Sequence, residues 1–190
     1  TAKPDQLILD GQQRLTSLYL ALRCGKPVPT RTDKGQDIER YYYLDIGKCL
    51  DSEIDRLDAV IGVPADKIVR VDFAREVQLD LSTRENEIKN GMLPLNLILD
   101  HVGFSRWRND YQEYHGYEKG KIQIITRFEQ EIWIRFQQYK IPVIELLRGT
   151  EKEAVCQVFE KVNTGGVTLS VFELVTAPFA ADDFHLRSDW

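Results

Sequence analysis

The run Leu7-Ile8-Leu9-Asp10-Gly11-Gln12-Gln13-Arg14-Leu15-Thr16-Ser17-Leu18 constrains the fold of this chain more than any other segment. An apolar start over 6–9 reads as a short buried strand. Asp10 and Gly11 break it, and a helix follows from 12 to about 24. Leu15, Leu18, Tyr19 and Leu22 recur at helical spacing and predict a buried face. Asp10 with Gln13 three residues later is a capping box, which starts helices with no ligand at all. The same residues also suit a phosphate site. Backbone N–H groups at a helix start lack intrahelical partners and carry about half a positive charge. Arg14 adds a guanidinium fork matched to paired phosphate oxygens. Gly11 lets a ligand approach the backbone, and Asp10 offers a carboxylate for a metal ion or a water.

Further along, Gly25 sits where a helix stop belongs, and Pro27 and Pro29 keep the chain extended. Residues 30–39 read as a polar loop and 40–46, with Tyr41, Tyr42 and Tyr43 in a row, as a strand. Aromatics this dense pack a core or an edge, with base stacking as the functional alternative. A second strand is expected over 68–73, and the charged stretch 75–91 fits helix or loop. Pro94 opens a predicted helix to His101. Trp107 and Tyr111 form a core stripe within a helix over 104–114. Ile122, Ile125, Ile132 and Phe136 predict one long amphipathic helix over 117–138. A strand over 139–147 is expected next, with Pro142 near its start. Two capping boxes, Thr150 to Glu153 and Ser170 to Glu173, then open two helices. Together these elements predict an α+β fold with helices in the majority.

Composition removes several classes of function. The formal net charge of −5 argues against broad, charge-driven nucleic-acid binding. Cys24, Cys49 and Cys156 are scattered, without a Cys-x-x-Cys pair, so neither a zinc site nor a disulfide framework is expected, and a reducing cytoplasm is the default compartment. His101, His115 and His185 are equally dispersed and read as surface or packing residues. No apolar stretch approaches membrane-spanning length. The chain opens on Thr1 rather than Met and meets its best motif within its first residues, which reads as an excised domain.

A second string, Phe159-Glu160-Lys161-Val162-Asn163-Thr164-Gly165-Gly166-Val167-Thr168-Leu169-Ser170, places a polar turn between two helices. Alone it is a helix stop followed by a Thr/Ser turn. A glycine pair beside an amide and a hydroxyl can also present several donors to one phosphate. With both strings in hand, DGQQRLTSLYLAL resembles the box that names the DGQQR proteins, domain of unknown function 262, the amino-terminal domain of GmrSD-type, modification-dependent restriction systems. The Asn163-Thr164-Gly165-Gly166 string resembles the second box of that family, and the resemblance covers nearly the whole chain as one domain, 1–190.

The resemblance implies a small mixed β-sheet of ParB and sulfiredoxin-like type, with a helical cap and C-terminal helices, and places the second box close to the start of the first helix. It also implies an upstream strand-turn segment with a Gln-Arg pair and a downstream nuclease domain of the His-Asn-His type, neither of which lies in these residues. The function expected is nucleotide binding or hydrolysis with Mg²⁺ in a bacterial restriction, or phage-defence, protein that reaches DNA through its full length. In that expectation Asp10 holds the metal, Gln12 and Gln13 contact phosphate or an attacking water, and Arg14 clamps phosphate oxygens. Gly11, Asn163, Thr164, Gly165 and Gly166 line the phosphate. No Gly-x-x-x-x-Gly-Lys-Ser/Thr loop is present, so such an NTPase is not of the P-loop kind. The alternative is a non-catalytic DNA- or modification-sensing module that controls a separate nuclease. DNA cleavage by this piece itself is disfavoured, since it has no His-Asn-His box and no dense carboxylate cluster.

Overall fold

The computed structural model describes residues 8, 11–32, 34–71, 76–147, 149–151, 153–155 and 157–158. The chain divides into two compact units, one of Arg14–Lys140 and one of Thr1–Gln13 with Ile141–Trp190. The architecture is α+β, as the sequence predicts.

In the first unit the core is a sheet built on β2 (Asp37–Asp45). β3 (Val60–Pro64) runs antiparallel along one edge, with Arg40 opposite Pro64 and Leu44 opposite Val60. The other edge is shared in tandem by β1 (Val28–Arg31), with Val28 opposite Arg40, and β6 (Met92–Pro94), with Tyr43 opposite Pro94. Pro29, Pro64 and Pro94 each sit on an edge strand or at a strand end, where the missing donor is tolerated. β4 (Ile68–Val71) and β5 (Glu76–Asp80) form a separate antiparallel hairpin. Every ladder among the described residues is antiparallel. The strand predicted over 6–9 lies outside them except for Ile8, which has no regular structure.

Helices cover the sheet. Side-chain caps start the short ones: Asp45 accepts from the Lys48 N–H for α2 (Ile46–Leu50), and Thr83 from the Asn86 N–H for α3 (Arg84–Lys89). Asp100 does the same for α4 (His101–Tyr114) through the Gly103 N–H at 3.0 Å. The predicted stripe on α4 is buried: Trp107 stacks on Tyr111 at 5.4 Å between ring centroids, and Phe104 stacks on Trp133 at 4.6 Å.

The long amphipathic helix is continuous but not uniform. It comprises α5 (Lys119–Phe128), a π turn over Glu129–Trp133 and α6 (Ile134–Gln138). The extra residue in the π turn rotates the helix so that Phe128 and Trp133, five apart, both reach the core. In the same turn Glu129 receives Arg108 Nη1 on both carboxylate oxygens, at 2.8 and 3.0 Å.

Several expectations are corrected. The loop expected over 30–39 is shorter than predicted: β1 runs to Arg31 and β2 starts at Asp37, because the ladder between them satisfies backbone groups that the polar sequence leaves silent. The helix predicted from Pro94 is instead the end of β6 and a 3₁₀ turn over Leu95–Leu97, and Asp100 delays the true helix start to His101. In the second unit, 141–147 carries neither helix nor strand, and Ile141, Val143, Ile144 and Leu147 are exposed. A strand exists only as a partnered ladder, and Pro142 removes a donor from this one. Thr150 donates its hydroxyl to the Leu147 carbonyl at 2.7 Å, and helical backbone follows at 153–155 and 157–158. The predicted helix from Ser170 lies outside the described residues.

Candidate functional site

The helix expected at the first box is α1 (Gln12–Arg23). Gly11 precedes it at φ +81°, a left-handed value that a side chain disfavours, and so turns the chain directly into the helix start. Gln12, Gln13 and Arg14 occupy the first turn and are exposed. No acidic residue lies in that turn. Asp10, the expected metal ligand, lies outside the described residues, as do Asn163, Thr164, Gly165 and Gly166.

The buried face expected for α1 is only partly realised. Ala21 and Leu22 pack on the main core cluster, whereas Leu15, Leu18 and Tyr19 are 40%, 47% and 62% exposed. The attachment is concentrated at the C-terminal end. Arg23 Nη1 donates to the Leu99 carbonyl at 3.3 Å, and Gly25, at φ +60°, ends the helix against Asn96. Gln137 Nε2 on α6 donates to the neighbouring Ile98 carbonyl. Neither Arg23 nor Gln137 carries a sequence signal of this role, since each reads as a solvated polar residue near a helix end.

The remaining candidates have structural explanations. Tyr43 is buried, and Tyr41 and Tyr42 pack partly against the two core clusters, so the tyrosine run serves the sheet. His101 meets Trp133 edge-on at 4.8 Å, and His115 meets Tyr111 at 4.5 Å, both as packing contacts. A groove of about 650 Å³ between α2 and α5 includes Gly47, Asp51, Gln123 and Arg127 but none of the box residues. Its arginine is held by Glu131 at 2.8 Å and by the Leu50 carbonyl at 3.3 Å. Among the described residues no group of three His, Cys, Asp or Glu side chains is placed to hold a metal ion. No helix among them is long and apolar enough to cross a membrane.

A profile of the GmrSD restriction endonuclease N-terminal domain matches residues 1–180, and the chain belongs to that family. The chain is also similar to an uncharacterized protein of Methanocaldococcus jannaschii, with 25% identity over 195 residues that cover 99% of this chain. It spans 30% of the length of that curated relative. No solved structure matches the chain.

Proposed function

We propose that this domain binds a nucleoside triphosphate at the start of α1 and, with Mg²⁺, hydrolyses it or is switched by it, in the service of a restriction protein. The observation that carries the reading is the first turn of α1: it begins directly after a left-handed glycine, holds Arg14 and contains no acid. A helix start of that composition favours an anion over a purely structural cap. Family membership supplies the restriction context.

In this reading Arg14 clamps phosphate oxygens, Gln12 and Gln13 hydrogen-bond phosphate or the attacking water, and the Gly11 backbone approaches the ligand. Asn163, Thr164, Gly165 and Gly166 complete the cradle, in a core of ParB-like type. Phosphoryl transfer depends mainly on positioning and charge stabilisation, which these residue types supply. Mg²⁺ is held through one or two carboxylates and the substrate's own phosphates, so Asp10 beside a triphosphate is a fitting donor set. The ion would neutralise charge on the phosphate oxygens. The full-length protein would bring DNA and a nuclease of the His-Asn-His type to the domain, in the cytoplasm.

Calorimetric titration with ATP, GTP, CTP and UTP in Mg²⁺, repeated with Arg14→Ala, tests the reading. The variant is expected to lose roughly 1.5–3 kcal/mol of binding, the usual worth of charge-assisted hydrogen bonds. Unchanged affinity sinks the assignment. Binding of DNA instead, steeply dependent on salt and without nucleotide turnover, supports the sensing alternative.

A further inference from the structure

The carbonyls of Ile98 and Leu99 fall between two ladders. Within the 3₁₀ turn and its exit, Ile98 N–H bonds to Leu95 O and Asp100 N–H to Leu97 O, while α4 begins its own ladder with Phe104 N–H on Asp100 O. Neither ladder draws on the two carbonyls in between. A carbonyl left over in this way needs a partner, and here each receives a side chain from a different helix: Leu99 from Arg23 of α1 and Ile98 from Gln137 of α6. The first turn of α4 lies close against the Ile98–Leu99 turn: a Cβ added at Gly103 would come under 3 Å from Asp100 Oδ2 and Leu97 Cδ2.

We infer that Arg23 and Gln137 are positioning residues: Gln137 ties the Ile98–Leu99 turn to α6, and Arg23 locks α1 to that turn and thereby aims the end of the helix that carries Arg14. α1 runs unbroken through Arg14 to Arg23, so at 1.5 Å per residue Arg14 lies roughly 14 Å from the Arg23 anchor. A tilt of about 5° at the anchor displaces Arg14 by about 1.2 Å. A misplacement near 1 Å is enough to cost about a hundredfold in a positioned reaction. The exposed Leu15, Leu18 and Tyr19 add little restraint along the way. An isolated helix of this length is marginal in water, so the anchored end decides both its order and its direction. The anchor stands on the geometry of Arg14–Lys140, and its consequence for ligand binding rests on the phosphate site proposed above.

The experiment measures hydrogen exchange at the α1 amides from Thr16 to Leu22, thermal unfolding and triphosphate affinity for the full chain, as wild type, Arg23→Met, Gln137→Leu and Arg23→Lys. The expected result is exchange faster by roughly tenfold in α1 for Arg23→Met, and in α1 together with the end of α6 for Gln137→Leu. Triphosphate affinity should fall at least about tenfold in both, with partial recovery in Arg23→Lys. The melting transition should stay close to wild type. Faster α1 exchange in a protein whose wild type binds no triphosphate sustains the anchor and removes the phosphate site. Unchanged exchange overturns the anchor, and so does a rise spread equally through α4 and α5. If the wild type binds triphosphate, faster exchange with unchanged affinity overturns the positioning role.

Discussion

The Tyr43 hydroxyl donates to Glu87 Oε1 at 2.8 Å inside the first unit, joining the central strand of the sheet to α3. Glu87 is 5% exposed and also faces Lys67 Nζ at 3.2 Å and Arg84 Nη1 at 3.7 Å. Burial, and then the Glu87 charge, push the Tyr43 hydroxyl well above the ordinary tyrosine range, so it remains a donor. Glu87→Leu should cost about 1–3 kcal/mol, since it leaves the Tyr43 hydroxyl buried without its acceptor. Tyr43→Phe alone should cost about 1 kcal/mol. In urea denaturation the double variant should depart from additivity by at least about 0.5 kcal/mol, and additive losses would mean that the bond contributes nothing specific.

How far this unit was legible in the sequence follows from which signals are local. The start of α1, the tyrosine strand and the Trp107–Tyr111 stripe all announce themselves by spacing or by a turn residue. β3, β5 and β6 do not. β3 contains Gly62 and Pro64, β5 is framed by Glu76 and Asp80, and β6 is only Met92–Pro94. Their strand character comes from pairing with distant residues, which a short window cannot contain. Glu87 reads as one more acid in a charged stretch until Tyr43 and Lys67, far away in sequence, converge on it. At the candidate site the backbone start at Gln12 was legible. The anchors at Arg23 and Gln137 were not, because their partners are main-chain carbonyls that any residue supplies.

Gly103 is required by close approach rather than by an unusual backbone angle. Its added Cβ would meet Leu97 Cδ2 and the Asp100 carboxylate at under 3 Å, and Asp100 cannot retreat without releasing the Gly103 N–H that it caps. Gly103→Ala should therefore destabilise by about 1–3 kcal/mol, the usual cost of overpacking, despite the better helix propensity of alanine. Chemical denaturation measures this directly, and a stabilised variant would show that the turn can yield.

Cys49 and Cys24 should differ in reactivity. Cys49 is buried on α2, and burial, with the Asp45 charge as the next cause, pushes its thiol up to about 11. Cys24 is partly exposed. Since the thiolate is the reactive form, labelling a Cys156→Ser variant near pH 8 should modify Cys24 quickly and Cys49 only through opening of the fold. Equal rates would contradict the burial of α2 against the core.

Acid should weaken the domain in two stages of the same sign. The His115 imidazole is held below the ordinary histidine value of about 6.5, chiefly by burial and then by Lys121, while Glu118 opposes the shift. Its unfolded form therefore takes up a proton first as pH falls. The stability linked to it is complete above about 6.5 and drains away below that value until the folded form titrates as well. Glu131 is held below the ordinary glutamate range by its bond from Arg127, and Asp66 below the ordinary aspartate range by its bond from Arg70. Their contributions are present above the unfolded carboxylate values and are lost as pH falls through the folded ones. Both carboxylates are solvent-exposed, so solvent screens this second stage heavily. Melting temperature recorded from pH 7.5 to 4 should fall throughout, and His115→Gln should flatten the part just below 6.5. A wild-type protein that gains stability between pH 6.5 and 5 would show that the imidazole is not held neutral between Tyr111 and Tyr114.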